Sequence, residues 1–155
     1  MAAGVNAPLY TTEILRLAAS LPAARTLERE DGAAELRSPT CGSRVRTSVQ
    51  VASDGSVEAL SQQVHACAFG QASAAILQQG VTHRSAAEVE QALAAIGSWL
   101  EGSDEAPDWP GISALAPARP RKSRHAAILL PFRSLAAAMT DAADQRRRRD
   151  NPPAP

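Results

Sequence analysis

Two cysteines and three histidines are the residues of this chain whose types suit binding a soft metal or carrying sulfur. Cys41 sits in a Pro39-Thr40-Cys41-Gly42 turn just ahead of a strand-like run, Arg44 to Val51. Cys67 follows a second such run, Val57 to Val64, at the point where a helix of small residues begins. Asp54-Gly55 between the runs is a hairpin signal. The runs are similar in length, so antiparallel pairing returns both thiols to the same end of the sheet. A thiol at a helix start also feels the positive end of the helix dipole, which favours thiolate, the form that ligates metal or attacks sulfur. The count alone leaves open the blander alternative of two small buried apolar residues. His125, just ahead of the last helix, is a further candidate metal ligand. His65, two residues before Cys67 on an extended strand, shares that face and is a weaker candidate, and His83, in a turn between helices, has no evident role.

The elements that must position these groups follow from composition and pattern. At 155 residues and 45% hydrophobic content, the chain reads as one domain able to bury a core. With 3% aromatic content, that core is expected to be built from Ala, Leu, Val and Ile. Sixteen basic residues balance sixteen acidic ones, so overall charge points to neither a nucleic-acid nor a membrane partner. No apolar run reads as a membrane span and no export signal is seen, which makes the cytoplasm the default compartment. A reducing compartment disfavours a Cys41–Cys67 disulfide.

Residues 1–8 read as a flexible end, 9–143 as the domain, and 144–155 as a disordered basic, proline-rich tail. Thr11 or Thr12 caps a first helix with Ile14, Leu15, Leu17, Ala18 and Leu21 on its apolar face. Asp31-Gly32 turns into a short strand around Ala34 to Ser38. In the hairpin, Val45, Thr47, Val49 and Val51 alternate with Arg46, Ser48 and Gln50, giving one buried face and one wet face. Ser85 and Glu88 form a capping box ahead of a helix carrying Val89, Leu93, Ile96 and Leu100. The last helix carries Phe132, Leu135, Ala136 and Met139, with Pro131 in its first turn. The basic run Arg119, Arg121, Lys122 and Arg124 before it offers a docking surface for an acidic partner or is a solvated loop. The expected architecture is α+β: a three-stranded antiparallel sheet with helices packed on one face.

Pro39-Thr40-Cys41-Gly42, an alternating strand, then Cys67 followed by Gln71-Ala72-Ser73-Ala74 resembles the U-type iron-sulfur cluster assembly scaffolds, the family of IscU, SufU and the amino-terminal domain of NifU. The resemblance covers roughly Leu9 to Ala138. It implies that Cys41 and Cys67 are the first two cysteine ligands. Ile112-Ser113-Ala114-Leu115 and Arg124 set a register in which the family's third cysteine falls on Ala127, and Leu130, Phe132 and Leu135 take its Leu, Trp and Leu positions. Ser43 stands where the family has aspartate. A Cys, Asp, Cys, Cys set has therefore lost its carboxylate and one thiolate.

What the resemblance implies is a scaffold that binds iron or a nascent iron-sulfur cluster, or accepts sulfur, through Cys41 and Cys67, with His125 as a possible third metal ligand and zinc as the alternative metal. The implied partners are a cysteine desulfurase and apo iron-sulfur proteins, and a homodimer would pool four cysteines around one cluster. The role is that of a scaffold or sulfur acceptor rather than an enzyme. The alternative is a divergent adaptor that binds the desulfurase or an apo-target and holds no cofactor.

Overall fold

The computed structural model describes residues 10–154, so the flexible end expected over residues 1–8 lies outside the described residues. In chain order the elements are α1 (Thr12–Ser20), β1 (Gly32–Arg37), β2 (Arg44–Val51), β3 (Val57–His65), α2 (Ala68–Gly80), α3 (Ala86–Leu100), two 3-10 segments (Ile112–Ala118 and Lys122–Arg124) and α4 (His125–Asp150). The strands form an antiparallel meander in the order β1-β2-β3. The long helix α4 packs across β1 and β2 and against α2 and α3. This is the α+β architecture expected.

Local chemistry explains the boundaries. Thr11 Oγ1 accepts the Ile14 N–H at 3.1 Å and starts α1. Ser85 and Glu88 satisfy each other's backbone N–H at 3.1 Å, so the expected capping box opens α3. Gly55 takes φ +86° in the hairpin turn, where a side chain would be strained.

The inner face of the sheet contributes Val45, Val49 and Leu60, and α4 crosses it with Pro131, Ser134 and Ala138 while burying Ile128, Phe132 and Leu135 in the core. The approach is close because Gly32 faces the helix: a Cβ there would stand 2.3 Å from the Ala138 carbonyl oxygen. One polar knot lies within this apolar layer. Thr47 Oγ1 is 2.8 Å from Ser134 Oγ, Gln62 Nε2 donates to Thr47 Oγ1 and to the Pro131 carbonyl at 3.0 Å each, and Ser134 donates to the Val45 carbonyl at 3.1 Å.

Four expectations need correction. Although aromatics are few, Phe69 and Phe132 are the largest fully buried side chains, and Trp99 and Trp109 are buried too. Trp109 meets Phe132 edge-on with centroids 5.2 Å apart and donates its indole N–H to the Ile76 carbonyl at 3.0 Å. Leu15 is 51% exposed, because α1 inserts Ile14 into the core and turns Leu15 outward. Pro131 lies inside α4 rather than in its first turn. An interior proline costs about 3 kcal/mol, but fully burying Ile128, Phe132 and Leu135 at about 1.5–3 kcal/mol each outweighs that. Finally, residues 144–150, expected to be disordered, continue α4 to Asp150. Gln145 bonds Asp141 and Arg147 pairs with Asp144 one turn apart, and Arg147, Arg148 and Arg149 complement the helix's negative end. By length and composition α4 would also pass for a membrane span, but 67% of its apolar stretch is buried inside the domain.

Candidate two-cysteine site

The β2–β3 ladder runs from Arg44 opposite His65 to Val51 opposite Val57. Cys41 lies just ahead of Arg44 and Cys67 just past His65, so the two cysteines stand at the same end of the sheet. Both are free thiols; Cys41 is exposed and Cys67 half-buried.

A closed turn holds Cys41. The Gly42 N–H donates to the Ser38 carbonyl at 2.9 Å and the Ser38 N–H donates to the Ser43 carbonyl at 2.8 Å. Gly42 takes φ +74°, the conformation that lets so short a loop close. Ser43 is buried, and its Oγ lies 3.0 Å from Cys41 Sγ. Burial pushes the Cys41 thiol up, but hydrogen bonds from the Ser38 and Ser43 side chains and from the Ser43 and Cys41 backbone together outweigh it and hold the thiol below its ordinary range.

Cys67 is the N-cap of α2, with extended backbone at φ −66° and ψ 174°, and its sulfur makes no capping hydrogen bond. Its carbonyl accepts the Gln71 N–H at 3.0 Å, while Gln71 Nε2 reaches back to the Ala66 carbonyl at 3.0 Å. Cys67 packs against the core. His65 is exposed and ends β3, so Cys67 lies beyond the extended strand on which the two residues were expected to share a face.

Ala127 is buried against the first turn of α2. A Cβ placed on Gly70 would lie 3.6 Å from Ala127 Cβ, 3.2 Å from its carbonyl oxygen and 2.6 Å from Ala66 Cβ. Ser73 Oγ then bonds the Ile128 carbonyl at 2.6 Å. The start of α4 thus sits beside the residues that flank Cys67.

His125 is directed elsewhere. Its Nε2 lies 3.0 Å from both the Ala118 and the Arg119 carbonyl oxygens, to which it donates. The ring lines a cavity of about 290 Å³ with Leu93, Gly97, Leu129 and Arg133. Residues two apart on a helix point about 200° apart, so His125 faces α3 while Ala127 faces α2. Among the described residues no three His, Cys, Asp or Glu side chains gather as a metal site, and His125 does not complete a set with Cys41 and Cys67.

Sequence reasoning also missed two roles. Ser38 closes the Cys41 turn, its backbone pairing with Gly42 and Ser43 and its Oγ lying 3.2 Å from Thr40 Oγ1, and the signal for it was a hydroxyl placed where the turn must close. Arg119 belongs to the structure rather than to a free basic surface: its guanidinium donates to the Trp99 and Ser103 carbonyls at 2.8 and 2.7 Å and lies over the Trp99 ring.

This arrangement was compared with known proteins. No family model and no curated protein matches the sequence. Solved structures do. The amino-terminal part of a nitrogen-fixing NifU-like protein from Brucella abortus is 31% identical, with a TM-score of 0.78 over 88% of this chain and 95% of that one. The chain belongs to the U-type, NifU-like scaffold family. The U-type fold is seen again in a protein of Fervidobacterium islandicum AW-1 described as a candidate iron-sulfur cluster assembly scaffold for the SUF system, at 17% identity and a TM-score of 0.75 over 84% of this chain and 96% of that one. A protein described only as hypothetical shares it at 18% identity and a TM-score of 0.70, over 85% and 97% of the two chains. In this U-type chain, Ser43 and Ala127 occupy the positions where the resemblance implies an aspartate and a third cysteine.

Proposed function

We propose that this U-type chain serves iron-sulfur cluster assembly as a scaffold-type protein that receives iron or sulfur at Cys41 and Cys67. The observation that carries the reading is the hairpin register, which brings the two thiols to one end of the sheet beside the start of α4. The Cys41 thiol, held toward thiolate by Ser38 and Ser43, is suited to either cargo. The sulfur donor is a cysteine desulfurase in the cytoplasm, and the recipients are apo iron-sulfur proteins. The chain holds and passes on its cargo and catalyses no reaction of its own.

The donor set limits how cargo is held. Two thiolates leave an iron or zinc ion short of the usual four ligands. Two chains meeting at their cysteine ends supply four thiolates, the number a [2Fe-2S] cluster takes. Anaerobic reconstitution with iron and sulfide, followed by visible absorbance and native mass, tests this. The expected product is a coloured dimer that C41A or C67A abolishes. A colourless monomer overturns it.

Ser43 and Ala127, where the family resemblance implies a carboxylate and a third thiolate, motivate a second reading, an adaptor that binds the desulfurase or an apo-target without cargo. Its mark is retention of a desulfurase by the C41A/C67A double variant in a pull-down.

A further inference from the structure

The outer face of the sheet is divided in two. Over the half nearest the hairpin turn lies the loop before β1: the Arg25 N–H donates to Ser61 Oγ at 2.8 Å, the Arg29 N–H to Gln50 Oε1 at 3.2 Å, and Ser48 Oγ to Glu30 at 2.7 Å. The half nearest the cysteines is open. Strand pairing sets Arg37, Arg44 and His65 side by side in one row, and Glu35, Arg46 and Gln63 in the next, all on the face away from α4. Arg37 and Arg46 side chains are 68% and 45% exposed.

This surface sets three arginines against Glu35 and Glu30, which leaves it net positive in a chain of zero net charge. Glu35 answers Arg37 only at 3.7 Å and Glu30 answers Arg46 only at 3.8 Å, both exposed pairs worth little, and Arg44 has no ion-pair partner among the described residues. Like charges directly opposite on neighbouring strands are destabilising, so the Arg37–Arg44 pair does not help the sheet. The balancing acids lie largely elsewhere, as in Glu88, Glu90, Glu101, Asp104, Glu105 and Asp108.

We propose that the open half of the sheet, built on Arg37, Arg44 and Arg46, is the docking surface for an acidic segment of the protein that exchanges sulfur or iron with Cys41 and Cys67. The proposal rests on these cysteines being the exchange site. The field of the arginine rows draws an anionic chain to the sheet's end, where the exposed Cys41 is met first.

A thiol exchange that needs neither iron nor a cluster tests the surface, so a chain that never holds iron can still pass or fail. The probe is a short oligoglutamate peptide ending in a cysteine–thionitrobenzoate disulfide. The protein thiolate attacks the peptide's sulfur, a protein–peptide disulfide forms, and thionitrobenzoate leaves with the electron pair and is read by its colour. At low salt the acidic probe should react at least about tenfold faster than its oligolysine counterpart. The gap should close at high salt and in R44E/R46E, and narrow in R44Q/R46Q, the milder variant should the reversal unfold the sheet by circular dichroism. R121E/K122E, in the loop before α4, should keep it. Equal rates for the two probes, or loss of the gap in R121E/K122E alone, overturns the proposal. So does a DNA duplex that blocks the exchange at lower charge concentration than free oligoglutamate, since that assigns the face to nucleic acid.

Discussion

Ser43 Oγ lies 3.0 Å from Cys41 Sγ at the closing end of the Ser38–Ser43 turn, where the resemblance implies a carboxylate that would ligate metal. A hydroxyl is a poor ligand, but it can donate to a thiolate, and a carboxylate cannot. S43A should therefore move the midpoint of Cys41 alkylation to higher pH and slow it severalfold at neutral pH. Site-resolved mass spectrometry of iodoacetamide labelling measures this. An unchanged profile means the turn's backbone alone holds the thiolate.

Asp31 ties the entry of β1 to the end of β2. Its carboxylate accepts the Arg29 Nε–H at 2.9 Å and the Val51 N–H at 2.8 Å. Burial pushes its pKa up, but the hydrogen bonds from Arg29 and Val51 outweigh burial and hold it below the ordinary carboxylate value. A carboxyl depressed in the folded state contributes stability that is complete above its unfolded pKa of about 3.9 and is lost as pH falls through the folded value. Urea midpoints should drop below about pH 4, and D31N should flatten that limb while lowering stability near neutrality.

The Thr47, Gln62 and Ser134 knot should behave as a unit. Removing the hydroxyl in S134A leaves Thr47 and two carbonyls short of a partner in a dry layer, at a cost of about 1–3 kcal/mol. T47V strips the Gln62 amide of an acceptor at similar cost. The double variant should cost less than the sum of the two, since each removes the other's stranded partner. Full additivity in urea unfolding would mean that the groups are satisfied independently.

What the sequence made legible was local. The alternation of Val45, Thr47 and Val49, the Asp54-Gly55 turn and the Ser85–Glu88 box each depend on near neighbours, and these elements form where the pattern puts them. The two cysteines reach one end of the sheet for the same reason. What depended on distant partners was not legible. Trp109 follows a stretch rich in acidic residues and proline with no apolar pattern of its own, yet Ile76, Phe132 and the Arg84 guanidinium enclose it. Local rules place Pro131 in the first turn of the last helix, and only the burial of its apolar neighbours explains why α4 begins earlier, at His125. His125 drew notice for its chemistry, but its ring is held by the Ala118 and Arg119 carbonyls, which no spacing announces.

The last prediction concerns the missing ligands. Ala127 is 2% exposed and packs beside Gly70 and Ala66, which bracket Cys67, so a thiol at 127 would emerge next to the existing pair. Adding a sulfur to so close a contact is expected to cost about 1–3 kcal/mol, and metal binding to the folded state would offset it. In S43D/A127C the full Cys, Asp, Cys, Cys set implied by the family resemblance is present on one chain. That variant should purify as a monomer with stoichiometric zinc, while the unaltered chain and S43D alone carry little, by elemental analysis and native mass. It should also regain stability on zinc addition and lose it to a chelator, because a four-ligand site binds only the folded chain. If S43D/A127C folds and stays metal-free, Ala127 is not the vacated position, and the register running from Ile112 through Arg124 must be redrawn.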